Sequence, residues 1–411
     1  MNTAVFFAFA STRRRMYAGP LGPHIDDFIT WLQEQHYTKH SIRCKIRVVA
    51  DFSSWLKKRH LGARAADAER MQRFLVCRER TDTSTTGDLS ALRQMADILM
   101  RKQVTQPSAV SLNERERVEQ AFCTHLLQNR GLQPSTPTCY VRHVSRFLRG
   151  RFGDGPVRFN EIVGADITRF IQRDTIGRNY SRAQQTLTAM YAFLRYLHVR
   201  GLIATDLAVC VPKAAHWSLA KLPSFLRPAE VTRILALCER RSALGRRNYA
   251  MLLLLARLGL RAGEVAALTL DHIDWQGGVL TIRGKGGKWA QMPLPMDVGE
   301  AMADYLEHGR ALSSDRHVFV SVHAPRRGLR GATSISVIAS RALARAQIKP
   351  PRAAAHIFRH ALATEMLQQG ASLSEISRLL RHQHPDTARI YAKVHLTALR
   401  DLAMPWPGGA R

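Results

Sequence analysis

The sequence predicts a multidomain, mainly α protein: two helical modules, then an α-rich domain carrying one small antiparallel β-hairpin. Three observations predict this. The chain has 411 residues, more than one module needs at roughly 100–200 residues per domain. Hydrophobic residues make up 45% and charged residues 23%, so each part can bury a core. Apolar residues recur at helical spacing along most of the chain, while one pair of short strand-like runs flanks a Gly-rich turn.

The start, MNTAVFFAFASTRRRM, looks like a signal peptide at first, but its arginines follow the apolar run where a signal peptide's precede it. Residues 1–22 are read as a leader, mis-started if translation begins at Met16, or disordered. The first helical module spans 23–106, and the second spans 111–212 after the break VTQPSAVSLNE. In FITWLQEQ and FCTHLLQN a helix is expected to start at an aromatic, Phe28 or Phe122, about 94 residues apart, and each is followed by a polar turn and a second helix. This hints at a duplicated helical unit. A further helix, SRAQQTLTAMYAFLRYLHVRG, carries Leu187, Met190, Leu194 and Leu197 as one apolar stripe, with Arg182, Arg195 and Arg200 off it.

A basic linker, 213–223, leads into the third domain, 224–402. There VLTIRG and WAQMPL read as strands joined by KGGK, whose glycines permit a tight turn. Helices follow in SISVIASRALARAQI and in HIFRHALATEMLQQG, the latter ended by Gly370. Ser372 and Glu375 fit a capping box for SLSEISRLL, and a last helix begins near Asp386 or Thr387. Residues 403–411 form a tail.

Charge narrows the function. The 61 Lys and Arg against 32 Asp and Glu leave a net +29, which points to a polyanionic partner, most often nucleic acid and less often an anionic membrane surface. The six cysteines contain no CxxC pair, so they read as reduced thiols and not as a disulfide frame or zinc site. No run approaches the ~20 apolar residues of a membrane helix. A cytoplasmic protein is expected.

Four pieces of the third domain carry chemistry-bearing residues. Arg261 stands at a helix start in LGLRAGEVAAL, with Glu264 available as an ion-pair partner. Lys285 lies in GKGGK, whose spacing is not that of a P-loop. His356 and Arg359 share a turn of HIFRH; His356 and His360 have the i, i+4 spacing of zinc ligands but lack the intervening Glu of a metalloprotease. His382 and Tyr391 lie in RHQHPDTARIYAKV. Taken singly, each has an ordinary structural explanation.

Taken together, in order and spacing, they resemble the catalytic domain of the tyrosine recombinases, the phage integrase family. The resemblance is strong over 224–402, and 111–212 resembles the helical core-binding (SAM-like) domain that precedes it. It implies the DNA breaking-rejoining enzyme fold and a catalytic set of Arg261, Lys285, His356, Arg359, His382 and Tyr391. In that set the arginines stabilise charge on the phosphate, Lys285 protonates the departing 5′ oxygen, and Tyr391 is the nucleophile. The 3′-phosphotyrosine would conserve the bond energy for religation, so neither metal nor ATP nor any other cofactor is expected. Two departures stand out. Arg381 occupies the position before His382 where the family usually has glycine, and Phe358 replaces a more usual leucine.

The resemblance further implies double-stranded DNA as substrate and a homo-tetramer on paired sites, formed from chains that can be monomers in solution. It leaves room for partner recombinases or accessory proteins, and implies no membrane partner and a mobile-element setting, with the segment after Tyr391 packing against a neighbouring protomer. Residues 23–106 exceed the usual two-domain plan; a further helical DNA-binding module is favoured over an accessory-site (arm) binder or a protein-interaction domain. Two alternatives share the pattern: relaxation of supercoils in the manner of a type IB topoisomerase, and a non-catalytic DNA-binding accessory protein of transposition.

Overall fold

The computed structural model describes residues 5–79, 87–105, 112–132, 135–153, 155–178, 180–212, 225–284, 287–329, 331–350, 355–382 and 385–392. The chain divides into two compact units: Met1–Ser108 with Lys221–Arg411, and Ala109–Ala220. The expected linker, the hairpin lysine and the tail beyond Ala392 lie outside the described residues.

The first unit opens with α1 (Ala10–Met16), α2 (Ile25–Glu34), α3 (Lys39–Lys57), α4 (Ala68–Glu79) and α5 (Asp88–Arg101). α2 begins at Ile25, three residues before the expected Phe28, because a 3-10 turn at Gly22–His24 feeds it and Asp26 and Asp27 occupy its first turn. Carboxylates there favour an early start by opposing the helix dipole. Thr38 caps α3 by accepting the Ser41 N–H at 3.2 Å. Phe28, Ile46, Phe52, Leu92 and Leu99 build the core, and Phe6, Phe7, Met16 and Leu21, within the stretch expected as a leader, are buried in it.

The second unit contains α6 (Glu114–Gln128), α7 (Ser135–Phe152), α8 (Gly164–Thr175) and α9 (Tyr180–Val199). α6 also starts earlier than expected. A reciprocal cap sets its beginning: Asn113 Oδ1 accepts the Glu116 N–H at 2.8 Å, and Glu116 Oε2 accepts the Asn113 N–H at 3.0 Å. Phe122 is therefore mid-helix and fully buried. On α9 the stripe Leu187, Met190, Leu194 and Leu197 is buried, widened by Phe193 and Tyr196, and Arg182, Arg195 and Arg200 are exposed.

The remainder of the first unit contains α10 (Pro228–Ala236), α11 (Ala243–Arg257), α12 (Ala262–Ala266), α13 (Met296–His308), α14 (Gly331–Arg345), α15 (His356–Gln368), α16 (Leu373–Leu379) and α17 (Arg389–Ala392). Between α12 and α13 lies a three-stranded antiparallel sheet in the order β1 (Ile273–Asp274), β2 (Val279–Arg283), β3 (Trp289–Pro293). The expected hairpin is β2 and β3, in register from Val279↔Pro293 to Arg283↔Trp289, and β1 adds a short edge. Leu280, Ile282 and Met292 turn one face of the sheet into the core around α11, whose residues Ala250–Leu255 are all buried. That continuous burial is why α11 reads as an unbroken apolar run. A smaller cluster of Ala363, Ile376, Leu380, Ala388 and Tyr391 closes the C-terminal end. No described helix is long and apolar enough to cross a membrane.

Candidate active site

Three chain segments converge here, and one glycine lets two of them meet. Gly259, just past α11, has φ +56, and a Cβ there would lie 2.7 Å from Leu380 Cδ2 and 3.1 Å from Leu362 Cδ2. Only a residue without a side chain fits both the dihedral and the contact. Two residues on, Arg261 is the N-cap of α12, in extended conformation. Its guanidinium donates to Glu264 Oε1 at 2.7 Å, and its backbone N–H donates to Glu264 Oε2 at 2.9 Å. The expected ion pair therefore forms, with Arg261 held from both ends. Glu264 is buried, which alone would raise its pKa; the Arg261 N–H, then Arg381 and the Arg261 guanidinium, outweigh this and hold it below the usual carboxylate range.

α15 supplies the second segment. Arg359 is 4% exposed, and its guanidinium donates to Gly259 O at 2.6 Å and to Leu380 O. Five guanidinium N–H groups are available to an arginine, so these two bonds leave donors for another acceptor. Burial, with Arg261 adding to it, brings its pKa down to about 10, still charged at neutral pH. His356, at the first position of α15, is an exposed residue whose imidazole is nonetheless partly desolvated; that desolvation, then Arg359 and Arg261, hold its pKa below the ordinary imidazole value.

The third segment runs from α16 to α17. Ser372 Oγ accepts the Glu375 N–H at 3.2 Å, and Gly370 takes φ +92 after α15, both as expected from the sequence. Arg381 adopts φ +53, and the His382 N–H then closes the turn onto Ser377 O at 3.0 Å. The His382 ring stacks on Tyr391 at a centroid distance of 6.3 Å and 13° between planes. Burial, followed by Arg359 and Arg261, lowers its pKa to about 4.

Tyr391 is 2% exposed, and its hydroxyl lies 3.1 Å from His360 Nδ1. Burial raises the tyrosine pKa against the opposing pull of Arg359 and Arg261, so the hydroxyl is protonated at neutral pH. Burial and then His356 bring His360 down to about 4, which leaves a neutral imidazole able to accept that proton.

Arg261, His356, Arg359, His382 and Tyr391 thus share one electrostatic site, and Lys285 lies outside the described residues. His360 is the site residue that sequence reasoning did not assign; the signal was present in its position one turn below His356 on the same helix. Chemically, the arrangement sets three arginines against one carboxylate, leaving positive charge for an anion beside a hydroxyl with a proton acceptor. Among the described residues no group of three or more His, Cys, Asp or Glu could hold a metal ion.

The sequence profile of the phage integrase family matches residues 224–397. Over 401 residues the chain is 41% identical to the integrase/recombinase y4rA of Sinorhizobium fredii, covering 96% of each. Tyrosine recombinase XerC of Anoxybacillus flavithermus is 27% identical, over 68% of this chain and 93% of its own length. Among solved structures, XerH site-specific recombinase bound to palindromic difH substrate in a post-cleavage complex aligns with TM-score 0.53 at 17% identity, covering 74% of this chain and 92% of that one. A lambda integrase dimer bound to a COC′ core site gives 0.52 at 16%, covering 72% and 98%. At these identities the two structures speak for the fold.

Proposed function

The chain belongs to the phage integrase family, the tyrosine recombinases, and from that premise we propose that it breaks and rejoins double-stranded DNA through Tyr391. It is a site-specific recombinase, a DNA strand-transfer enzyme with the mainly helical recombinase fold. The observation that carries the assignment of Tyr391 is its hydroxyl, hydrogen-bonded to a neutral imidazole and under the field of Arg261 and Arg359.

In the proposed reaction Arg261 and the remaining donors of Arg359 bind the non-bridging oxygens of the scissile phosphate, where negative charge grows in the transition state. The Tyr391 oxygen attacks phosphorus as its proton passes to His360 Nδ1, and the bond from phosphorus to the 5′ oxygen breaks. Lys285 gives its proton to that 5′ oxygen, and His356 and His382 add hydrogen bonds to the phosphate. The 3′-phosphotyrosine keeps the phosphodiester energy, and attack by another 5′ hydroxyl reverses the step on a new strand. The domain division (23–106 and 111–212 as helical DNA-binding modules, 213–223 as linker, 224–402 as catalytic domain) belongs to the same proposal, as does a homo-tetramer on paired sites. A net +29 supports the DNA partner.

The test uses nicked suicide duplexes carrying the DNA that flanks the protein's own gene. An SDS-resistant protein–DNA adduct is expected, and Tyr391→Phe should abolish it. An adduct that persists in Tyr391→Phe overturns the assignment of the nucleophile.

A further inference from the structure

Arg381 is built into the site at a conformational cost. Its φ of +53 lies in the left-handed region that a side chain disfavours, and residues so held persist where their surroundings over-determine them. The surroundings here are specific. Its side chain is 13% exposed and its guanidinium donates to Glu264 Oε2 at 3.0 Å, to Leu379 O at 3.2 Å and to Met292 Sδ of β3. One side chain therefore joins the carboxylate behind Arg261, the second strand of the hairpin, and the turn that presents His382.

Glu264 is the reason this matters. Its side chain is 4% exposed, and Arg261 occupies its other oxygen. If Arg261 turned its guanidinium toward a phosphate with no second cation present, the buried carboxylate would keep only the Arg261 backbone N–H as partner and no opposite charge, which opposes the movement. We propose that Arg381 is a positioning residue for strand cleavage: it keeps Glu264 ionised and fixed, so that Arg261 is free to donate to the scissile phosphate. This rests on the recombinase reading above and adds to it a residue that acts through Glu264 without touching the phosphate.

Among the described residues, the charged and titratable groups facing Glu264 are Arg261 before α12, Arg381 after α16, and His356 and Arg359 on α15. Since Arg381 lowers the Glu264 pKa, its removal raises it. Protonation of Glu264 would then begin at higher pH, and cleavage would fail sooner as pH drops.

The experiment compares the full chain, Arg381→Gly, Arg381→Lys, Glu264→Gln and the Glu264→Gln/Arg381→Gly double variant on the same nicked duplexes. Glycine suits the dihedral, so Arg381→Gly should fold. It should lose up to about 100-fold in adduct formation, the scale of a misplaced catalytic group. Its acid limb should shift to higher pH, Arg381→Lys should recover part of the rate, and in the Glu264→Gln background the glycine should cost nothing more. Wild-type rate and pH profile in Arg381→Gly, or independent multiplying losses in the double variant, overturn the proposal. Should Arg381→Gly not fold, the double variant, which leaves neither charge unpaired, decides by comparison with Glu264→Gln. If the wild type forms no adduct, the recombinase assignment of this site fails instead. A carboxyl-carbon NMR titration of Glu264, which needs no DNA, then still reads whether its pKa rises without Arg381; an unchanged value ends the proposal.

Discussion

The state of single protons governs this site. His360 and His382 both fall to about 4 and are neutral in the folded chain at neutral pH. An unfolded histidine takes up its proton near its ordinary value of about 6.5, before the folded one does. Between about pH 6.5 and about pH 4 the unfolded state therefore binds more protons, and stability falls as pH falls. Each such histidine contributes a slope approaching about 1.4 kcal/mol per pH unit inside that window. Replacing His360 by Gln should flatten the dependence of unfolding free energy on pH by up to one proton, measured by urea titration at a series of pH values. An unchanged slope would mean that His360 is not held neutral against Tyr391. The sequence showed the residue types of this site, because Arg261, His356, Arg359, His382 and Tyr391 lie in short local motifs. It could not show that His360 meets Tyr391, since that contact joins positions 31 residues apart and depends on how α15 and α17 pack.

At the scale of elements, the site depends on how closely the segment after α11 approaches the end of α16. Gly259 sets that distance, and Arg359 bonds to both sides of it. Gly259→Ala should cost on the order of 1–3 kcal/mol, combining backbone strain with overpacking against Leu380 and Leu362. Gly278 is the control: it has φ +61, but a Cβ placed there would meet no atom within 4 Å, so Gly278→Ala should bear the backbone strain alone. Chemical denaturation of both variants checks the difference, and equal losses would deny the close approach its role. Elements were most legible where one local signal decides them. The apolar stripe of α9, the Ser372 cap, Gly370 and the two strands of the hairpin are such cases. Helix starts were less so: Phe28 and Phe122 mark the buried middle of their helices, whereas polar residues upstream set the first turns.

For the whole molecule, charge is the dominant quantity. With +29 spread over 411 residues, association with DNA should be driven largely by release of counterions. If 6–10 phosphates are neutralised, affinity should fall by roughly 10³–10⁵ between 50 and 200 mM salt. Fluorescence anisotropy with a labelled duplex measures this, and a flat salt dependence would rule out the electrostatic account. Such a molecule also meets DNA almost everywhere, among roughly 10⁶–10⁹ competing sites in a genome. The 2% exposure of Tyr391 then acquires a meaning beyond the chemistry of one cut. Under the proposal that Tyr391 is the nucleophile, its burial between His360 and His382 predicts that DNA met by chance during the search is left uncut, with the blade sheathed until a proper site is bound.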